Sequence, residues 1–171
     1  MKALLVIDML NDFIAEDGVL TTGPAGRGII GFIQAKVAKF REHGCPVIFI
    51  CDHHEADDKE FQMFPAHCVA GSTGSAIIPE LEVQPGDKII HKRRYSAFFG
   101  TELDLYLREK GVTELCLVGV CTNICVLYTA ADARNLGYQV TIFKEGVASF
   151  DEQAHRFALK EAEHVLGCTI L

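Results

Sequence analysis

The sequence lacks a long hydrophobic run and lacks an excess of basic residues. No apolar segment approaches the roughly 18–20 residues that span a bilayer, and the opening MKALLVIDML is too short and turns acidic too soon for a signal peptide. Acids outnumber bases by 23 to 16, which gives a formal net charge of −7. Proteins that bind phosphate backbones generally carry a basic face instead. We therefore expect no membrane partner and no nucleic-acid partner.

A paired set of cysteines is also missing. The chain has seven cysteines, an odd number, in a length that can bury a core without covalent cross-links. It contains no Cys-x-x-Cys pair, which argues against a four-ligand zinc site and against a dithiol redox centre. These absences predict a reduced protein in the cytoplasm.

The sequence does contain a regular alternation of short apolar runs and helical patterns. The runs are continuous in hydrophobicity, which is typical of strands buried on both faces. They are ALLVID (3–8), PVIFIC (46–51), KIIH (88–91), ELCLVGV (114–120), YQVTIF (138–143) and CTIL (168–171). The helical patterns lie at 26–43, 100–110, 122–136 and 151–166. We predict a single three-layer α/β/α domain over 1–171, with a doubly wound, mostly parallel six-stranded sheet.

Chemically capable side chains follow four of these runs, at the point where each strand ends. Asp8, Asp52 and Lys92 end the first three runs, and a turn with two cysteines follows the fourth. The carboxyl ends of parallel strands meet at one edge of a sheet, where such folds bind their ligands. We therefore expect these groups to converge on one site.

The cysteine turn is GVCTNICV, residues 119 to 126. With Thr122 as the predicted N-cap, Cys125 falls in the first helical turn, where backbone N–H groups and the helix dipole favour a thiolate and can hold an oxyanion. Cys121 precedes the cap and lacks that placement. The residues alone leave two interpretations of Cys125 open, a nucleophile and a buried structural thiol.

Asp8 and Lys92 extend the nucleophile hypothesis. Next to Cys125, the carboxylate of Asp8 would accept the thiol proton. The ammonium of Lys92 would stabilise both the carboxylate and the thiolate. Each residue also has an ordinary alternative. An acid after a strand can cap a turn, and Lys92 belongs to HKRRY, a basic cluster typical of a solvated surface.

The connection 52–87 is long, irregular, and rich in histidine and acids. In an extended chain Asp52 and His54 point the same way. Together with Glu60 and His67 they would give two imidazoles and two carboxylates, a set that suits Zn, Mn or Fe. Neighbouring acids compete for these positions, and a solvated acidic loop is the alternative.

A GxGxxG match at residues 26–31 suggests dinucleotide binding, with Asp52 as a ribose-binding acid. In that fingerprint the first glycine lies in the tight turn directly after the first strand. Here a long segment separates Asp8 from Gly26. We therefore expect close packing or helix entry from these glycines, and no NAD or flavin cofactor.

Three motifs together resemble the isochorismatase-like cysteine hydrolases, and among them the nicotinamidases, over nearly the whole chain. VIDMLNDF is similar to the opening motif of the family, KRRYSAFFGT to its lysine motif and GVCTNICV to its nucleophile motif. The resemblance implies that Asp8, Lys92 and Cys125 are catalytic. It also implies a cis peptide bond between Val120 and Cys121, and an oxyanion hole formed by the backbone N–H groups of Cys121 and Cys125.

The segment FPAHCVAG resembles the motif that separates nicotinamidases from members without a metal. This implies one divalent ion, with Zn as the first expectation and Fe or Mn as alternatives. The implied ligands are Asp52, His54, His67 and, where many members carry a histidine, Glu60. The implied substrate contacts are Phe13, Phe64 and Phe99. The last two stand where other members often carry Trp and Tyr, which leaves the substrate range open.

The activity implied by the resemblance is hydrolysis of nicotinamide to nicotinate and ammonia through a thioester, with pyrazinamide as a further substrate. The metal would hold the pyridine nitrogen and position the water that cleaves the thioester. Three other functions stay open: a family amidase acting on another small amide or carbamoyl compound, a dinucleotide-binding oxidoreductase, and a non-catalytic metal-binding domain. The expected partner is a small molecule, and a homo-oligomer is not excluded by the sequence.

Overall fold

The computed structural model describes all of residues 1–171 as one six-stranded sheet with helices on both faces. The strands are β1 (Lys2–Ile7), β2 (Val47–Asp52), β3 (Lys88–Lys92), β4 (Glu114–Val120), β5 (Gln139–Ala148) and β6 (Thr169–Ile170). The α-helices are α1 (Asn11–Ile14), α2 (Gly23–Gly28), α3 (Ile30–Glu42), α4 (Leu103–Glu109), α5 (Leu127–Asn135) and α6 (Glu152–His164). A 3₁₀ turn (Lys59–Gln62) and a π-helical turn (Thr122–Val126) complete the elements. None of the helices combines the length and the apolar composition needed to cross a membrane.

All neighbouring strands are parallel, in the order β3-β2-β1-β4-β5-β6. The chain builds outward from β1 in one direction, returns to the middle at β4, and then builds outward in the other direction. The two halves separate between β1 and β4, and ligands bind outside the carboxyl ends of the strands at such a point. The predicted fold class is confirmed, and Asp8 and Cys121 immediately follow the two central strands.

Strand β1 shows why the apolar runs are continuous. Leu5 and Ile7 pack with buried residues of α4, α5 and α6 on one face of the sheet. Leu4 and Val6 pack with Ile33 and its neighbours in α3 on the other face. Because successive side chains of a strand point to opposite faces, a strand covered on both sides has no polar positions.

Several elements differ from the prediction, among them a helix that is divided and a strand that is longer. The segment predicted as one helix over 26–43 is two helices, α2 and α3, which meet at Ile29. The GxGxxG match therefore lies within helices and not in the turn after β1. Strand β5 continues to Ala148, because its second half pairs with the end of β4 beyond a register shift between Leu117 and Gly119.

The connection between β2 and β3 is held against the sheet by backbone hydrogen bonds. The N–H of His54 donates to the carbonyl of Cys68 at 3.0 Å, and the N–H of Ala70 donates to the carbonyl of His54 at 2.9 Å. Farther along, the N–H of Ile78 donates to the carbonyl of Met9 at 3.0 Å. The first two bonds close the loop on itself beside the end of β2, and the third ties it to the segment that follows β1.

Candidate active site

The structure brings Asp8, Lys92 and Cys125 together at the carboxyl edge of the sheet. They come from the end of β1, the end of β3 and the turn after β4. The ammonium nitrogen of Lys92 lies 2.9 Å from Oδ2 of Asp8 and 3.4 Å from Sγ of Cys125. All three side chains are buried. Folding alone thus assembles a carboxylate, an ammonium and a thiol that are widely separated in the sequence.

The two oxygens of the Asp8 carboxylate have different partners. Oδ1 accepts the backbone N–H of Asp52 at 2.9 Å, whereas Oδ2 is buried and lies 2.9 Å from the ammonium of Lys92. Burial and the nearby charge of Asp52 raise the pKa of Asp8 to about 6, against the opposing effect of Lys92. A carboxylate with a pKa near neutrality is suited to accept and return a proton.

Burial also controls the two thiols of the turn. It raises the pKa of Cys125 well above its ordinary value, although the ammonium of Lys92 acts in the opposite direction. The expectation that helix-end placement favours a thiolate is therefore outweighed by burial, and the resting form is the thiol. Burial raises the pKa of Cys121 to about 12. A reaction at Cys125 would need a neighbouring base, and Asp8 is in place to be one.

The turn that carries Cys125 differs in one respect from the prediction. The peptide bond between Val120 and Cys121 is cis, as the resemblance implies. The N–H groups of Ile124 and Val126 both donate to the carbonyl of Cys121, at 3.0 and 3.2 Å. Thr122 is not the N-cap, however, because Cys121 takes that position without a side-chain cap. Cys125 still lies in the first turn, which is π-helical.

Asp52 joins this cluster to a second one. Its Oδ1 pairs with Lys92, and its Oδ2 lies 3.6 Å from Nε2 of His54 and 3.9 Å from Nε2 of His67. Ligand atoms of Asp52, His54 and His67 all lie within 4.8 Å of one another. Oε1 of Glu60 lies 4.0 Å from Nε2 of His67, at the edge of this group.

The chemistry of this second cluster fits a divalent metal ion. Nε2 of His54 is buried and has no hydrogen-bond partner, which a bound cation would correct. Nδ1 of His54 contacts Oδ2 of Asp58 at 3.0 Å, and Nδ1 of His67 contacts the carbonyl of Pro65 at 2.8 Å. Metal-binding histidines are held by such contacts through the ring nitrogen that does not bind the metal. Two imidazoles with carboxylates suit Zn, Mn or Fe.

A small, partly open cavity joins the two clusters and is mostly apolar. Phe13 and Phe64 line it, as predicted for substrate contacts. Phe99 does not: its side chain is 67% exposed and lies against a separate surface depression beside Arg93. The sequence analysis missed five further lining residues, which are Leu20, Tyr95, Val120, Ile124 and Phe150. Tyr95 lies in the lysine motif and Ile124 in the cysteine motif, so their positions in the sequence were the available signal.

Comparison with known proteins agrees with this architecture. The family model described as the isochorismatase domain matches residues 2–170. An isochorismatase family protein of Bacillus subtilis (strain 168) is 40% identical over 99% of this chain and 98% of its own length. The crystal structure of nicotinamidase/pyrazinamidase PncA from Bacillus subtilis has a TM-score of 0.94 and 41% identity, covering 99% of this chain and 98% of that one.

A metal-containing relative is also similar over its full length. The crystal structure of the pyrazinamidase of Pyrococcus horikoshii in complex with zinc has a TM-score of 0.93 and 30% identity, covering 99% of this chain and 98% of that one. Sequence match and fold thus agree along nearly the whole chain, and the chain belongs to the isochorismatase family.

Proposed function

We propose that this protein is an amidohydrolase that converts nicotinamide to nicotinate and ammonia, and that it also accepts pyrazinamide. The observation that carries the proposal is the position of Cys125 beside a buried carboxylate and a buried ammonium, in the lining of a small apolar cavity. The relatives named as nicotinamidase and pyrazinamidase support this choice of substrate. In this proposal residues 1–171 act as one domain, with 52–87 as the metal-binding loop.

The cavity suits a flat aromatic amide. Phe13 and Phe64 lie near the imidazole of His67, with ring centroids 5.6 and 6.3 Å from it. A pyridine or pyrazine ring between these phenyl groups would point its ring nitrogen toward the proposed metal site. The protein ligands of that site are Asp52, His54, His67 and Glu60. A divalent metal bound there supplies a Lewis acid for the ring nitrogen and for water; Zn is the first choice, because a relative of known structure contains it.

The first half of the reaction forms a thioester. Asp8 takes the thiol proton as Cys125 attacks the carboxamide carbon, and the ammonium of Lys92 favours the developing charge on sulfur. The backbone N–H groups of Cys121 and Cys125 hold the oxyanion. Asp8 then protonates the departing nitrogen, the C–N bond breaks, and ammonia leaves.

The second half regenerates the enzyme. Asp8, again a carboxylate, takes a proton from the attacking water while the water oxygen bonds to the thioester carbon. The C–S bond breaks, and the proton held by Asp8 returns to sulfur as nicotinate departs. Because one carboxylate moves protons in both halves, a pKa near neutrality is the useful value.

The seven cysteines are all free thiols, which supports a reducing compartment such as the cytoplasm.

The test is to incubate the purified protein with nicotinamide and to follow ammonia and nicotinate, with metal loaded and after chelation. We expect stoichiometric release by the wild type and loss of rate after chelation. Cys125→Ala should lose activity by several orders of magnitude, as removal of a nucleophile typically does. The matched control is Cys121→Ala, which keeps the backbone N–H of the turn and should stay active.

Two results would overturn the proposal: a metal-loaded wild type without activity, or a Cys125→Ala variant with full rate. An inactive Cys121→Ala beside an active Cys125→Ala would show that the other thiol attacks. Ammonia release from a carbamoyl compound but not from nicotinamide would assign the protein to another amidase of the family. Metal binding without any ammonia release would indicate a metal-sequestering role.

A further inference from the structure

The turn that carries Cys125 is tied by two side-chain hydrogen bonds to the segment that starts α6. Oγ1 of Thr122 and Nδ1 of His155 share a hydrogen bond of 2.8 Å. Oγ of Ser149 donates to Oδ1 of Asn123 at 2.6 Å. Thr122 and Asn123 lie three and two residues before Cys125, so both bonds act on the residues that orient the sulfur.

The hydroxyl of Thr122 has no other structural duty that would explain it. The hydroxyl does not cap the helix, because the N-cap residue is Cys121 and the helix has no side-chain cap. Thr122 is 1% exposed, and a buried hydroxyl is costly unless it is hydrogen-bonded. A valine would fill the same space without that requirement. The hydrogen bond to His155 therefore fixes the orientation of the Thr122 side chain, which an apolar contact would not do.

His155 is a fixed anchor for this contact. It lies in the first turns of α6, and Oδ1 of Asp151 caps that helix by accepting the N–H of Ala154 at 2.9 Å. Ala158 and Ala162 bury the same helix against the core. Because α6 also packs against α5 and β6, it has support beyond the turn and can fix it.

We propose that His155 is a positioning residue for the nucleophile, acting through Thr122. The inference rests on the amidase function proposed above. The sulfur of Cys125 works only where it faces both Asp8 and Lys92, and a displacement of about 1 Å can cost on the order of 100-fold in rate. His155 touches neither substrate nor sulfur. Its effect is to keep the turn in the orientation that reacts.

The experiment compares four variants in the full-length, metal-loaded protein. His155→Ala and Thr122→Val remove the bond from either side. His155→Asn places an amide atom where Nδ1 stands, whereas His155→Gln places it near the position of Nε2. We expect kcat to fall about tenfold for the alanine, valine and glutamine variants, which corresponds to about 1.4 kcal/mol in the barrier, with KM unchanged. His155→Asn should keep kcat near the wild-type value.

A second readout does not depend on the substrate. The rate at which iodoacetamide alkylates Cys125, followed by peptide mass spectrometry, should change in the same variants and recover in His155→Asn. The double variant Thr122→Val/His155→Ala should be no worse than either single variant, because the two residues share one interaction. His164→Ala is the control, since that side chain is exposed on the same helix and should leave both rates unchanged.

The positioning role is overturned if His155→Ala keeps the wild-type kcat and alkylation rate. It is also overturned if His155→Asn is as impaired as His155→Ala, or if the loss appears in KM alone. A wild-type protein that releases no ammonia from nicotinamide contradicts the proposed function instead. In that case the alkylation rates still decide whether His155 holds the turn.

Discussion

The ammonium nitrogen of Lys92 lies 3.4 Å from the sulfur of Cys125, with almost no exposure to water. The same ammonium pairs with the carboxylates of Asp8 and Asp52. Burial disfavours its charge, yet the two carboxylates prevail and raise the pKa of Lys92 well above its ordinary value. One cation therefore pairs with two buried carboxylates beside the thiol.

Replacement of Lys92 by methionine should strongly destabilise the fold as well as abolish hydrolysis. The variant leaves two buried carboxylates without their cation, and removal of one partner of a buried ion pair costs about 3–5 kcal/mol. The free energy of unfolding in urea measures the effect. The control is Lys88→Met, because Lys88 pairs with Glu102 at the surface, where such a pair contributes about 0–1 kcal/mol. Equal losses in the two variants would contradict the structural role of Lys92.

Removal of the Asp58 carboxylate should weaken metal binding without touching a ligand atom. Asp58 orients His54 through Nδ1, and loss of such an outer contact typically costs about 10–100-fold in metal affinity. Competition with a chromophoric chelator gives the zinc affinity of Asp58→Ala independently of catalysis. The neighbouring Asp57 is exposed, so Asp57→Ala should bind zinc as tightly as the wild type. A zinc affinity of Asp58→Ala equal to that of the wild type would contradict the orienting role of Asp58.

Gly119 should tolerate no side chain. It adopts a φ of +115°, and a Cβ there would lie 2.0 Å from the carbonyl oxygen of Ile7, the residue before Asp8. Gly119→Ala therefore has to push β1 and β4 apart at the site, and we expect a loss of more than about 2 kcal/mol in unfolding free energy. Gly31→Ala is the matched control. That glycine is exposed and has open space around it, so the variant should be unchanged or up to about 1 kcal/mol more stable.

The phenol of Tyr138 should make stability depend on pH in the alkaline range. Burial and the hydrogen bond that its hydroxyl donates to Asp104 at 2.7 Å raise the pKa of Tyr138 from 10.0 to about 12. Because the folded state favours the neutral phenol, this contribution is complete below pH 10 and is lost as the pH rises toward 12.

The comparison for Tyr138 is the phenylalanine variant, followed by urea unfolding at several pH values. At pH 7 Tyr138→Phe should be about 1 kcal/mol less stable than the wild type, since one hydrogen bond is lost. Between pH 10 and 12 the difference should shrink. A difference that stays constant across this range would contradict the raised pKa.

The fold was accessible from the sequence because each strand is buried on both faces. That burial imposes runs such as ALLVID and ELCLVGV, which need no tertiary information to be recognised. Boundaries were less accessible. Strand β5 was predicted to end at 143, but it extends to Ala148 because it pairs with the end of β4. Pairing with a neighbouring strand is a tertiary contact, and the local sequence does not encode it.

The candidate site was partly accessible for a similar reason. Asp8, Lys92 and Cys125 could be singled out because parallel strands deliver their carboxyl ends to one edge. The direction of the Phe99 side chain could not be predicted in this way. The position of this residue in the lysine motif suggested a substrate contact, yet the chain turns its side chain outward. The direction of a loop side chain depends on what packs behind it, and a motif does not specify that.

The sequence by itself determined the order of strands and helices and the residue types at the strand ends. Only the tertiary structure decided how those groups affect one another. Burial keeps Cys125 a thiol and raises the pKa of Asp8 toward neutrality, and both effects depend on how much water the surrounding chain excludes. The contact between Thr122 and His155 likewise joins two helices that only folding brings together. Residue identity fixes which charges exist, whereas packing fixes their distances and their dielectric environment.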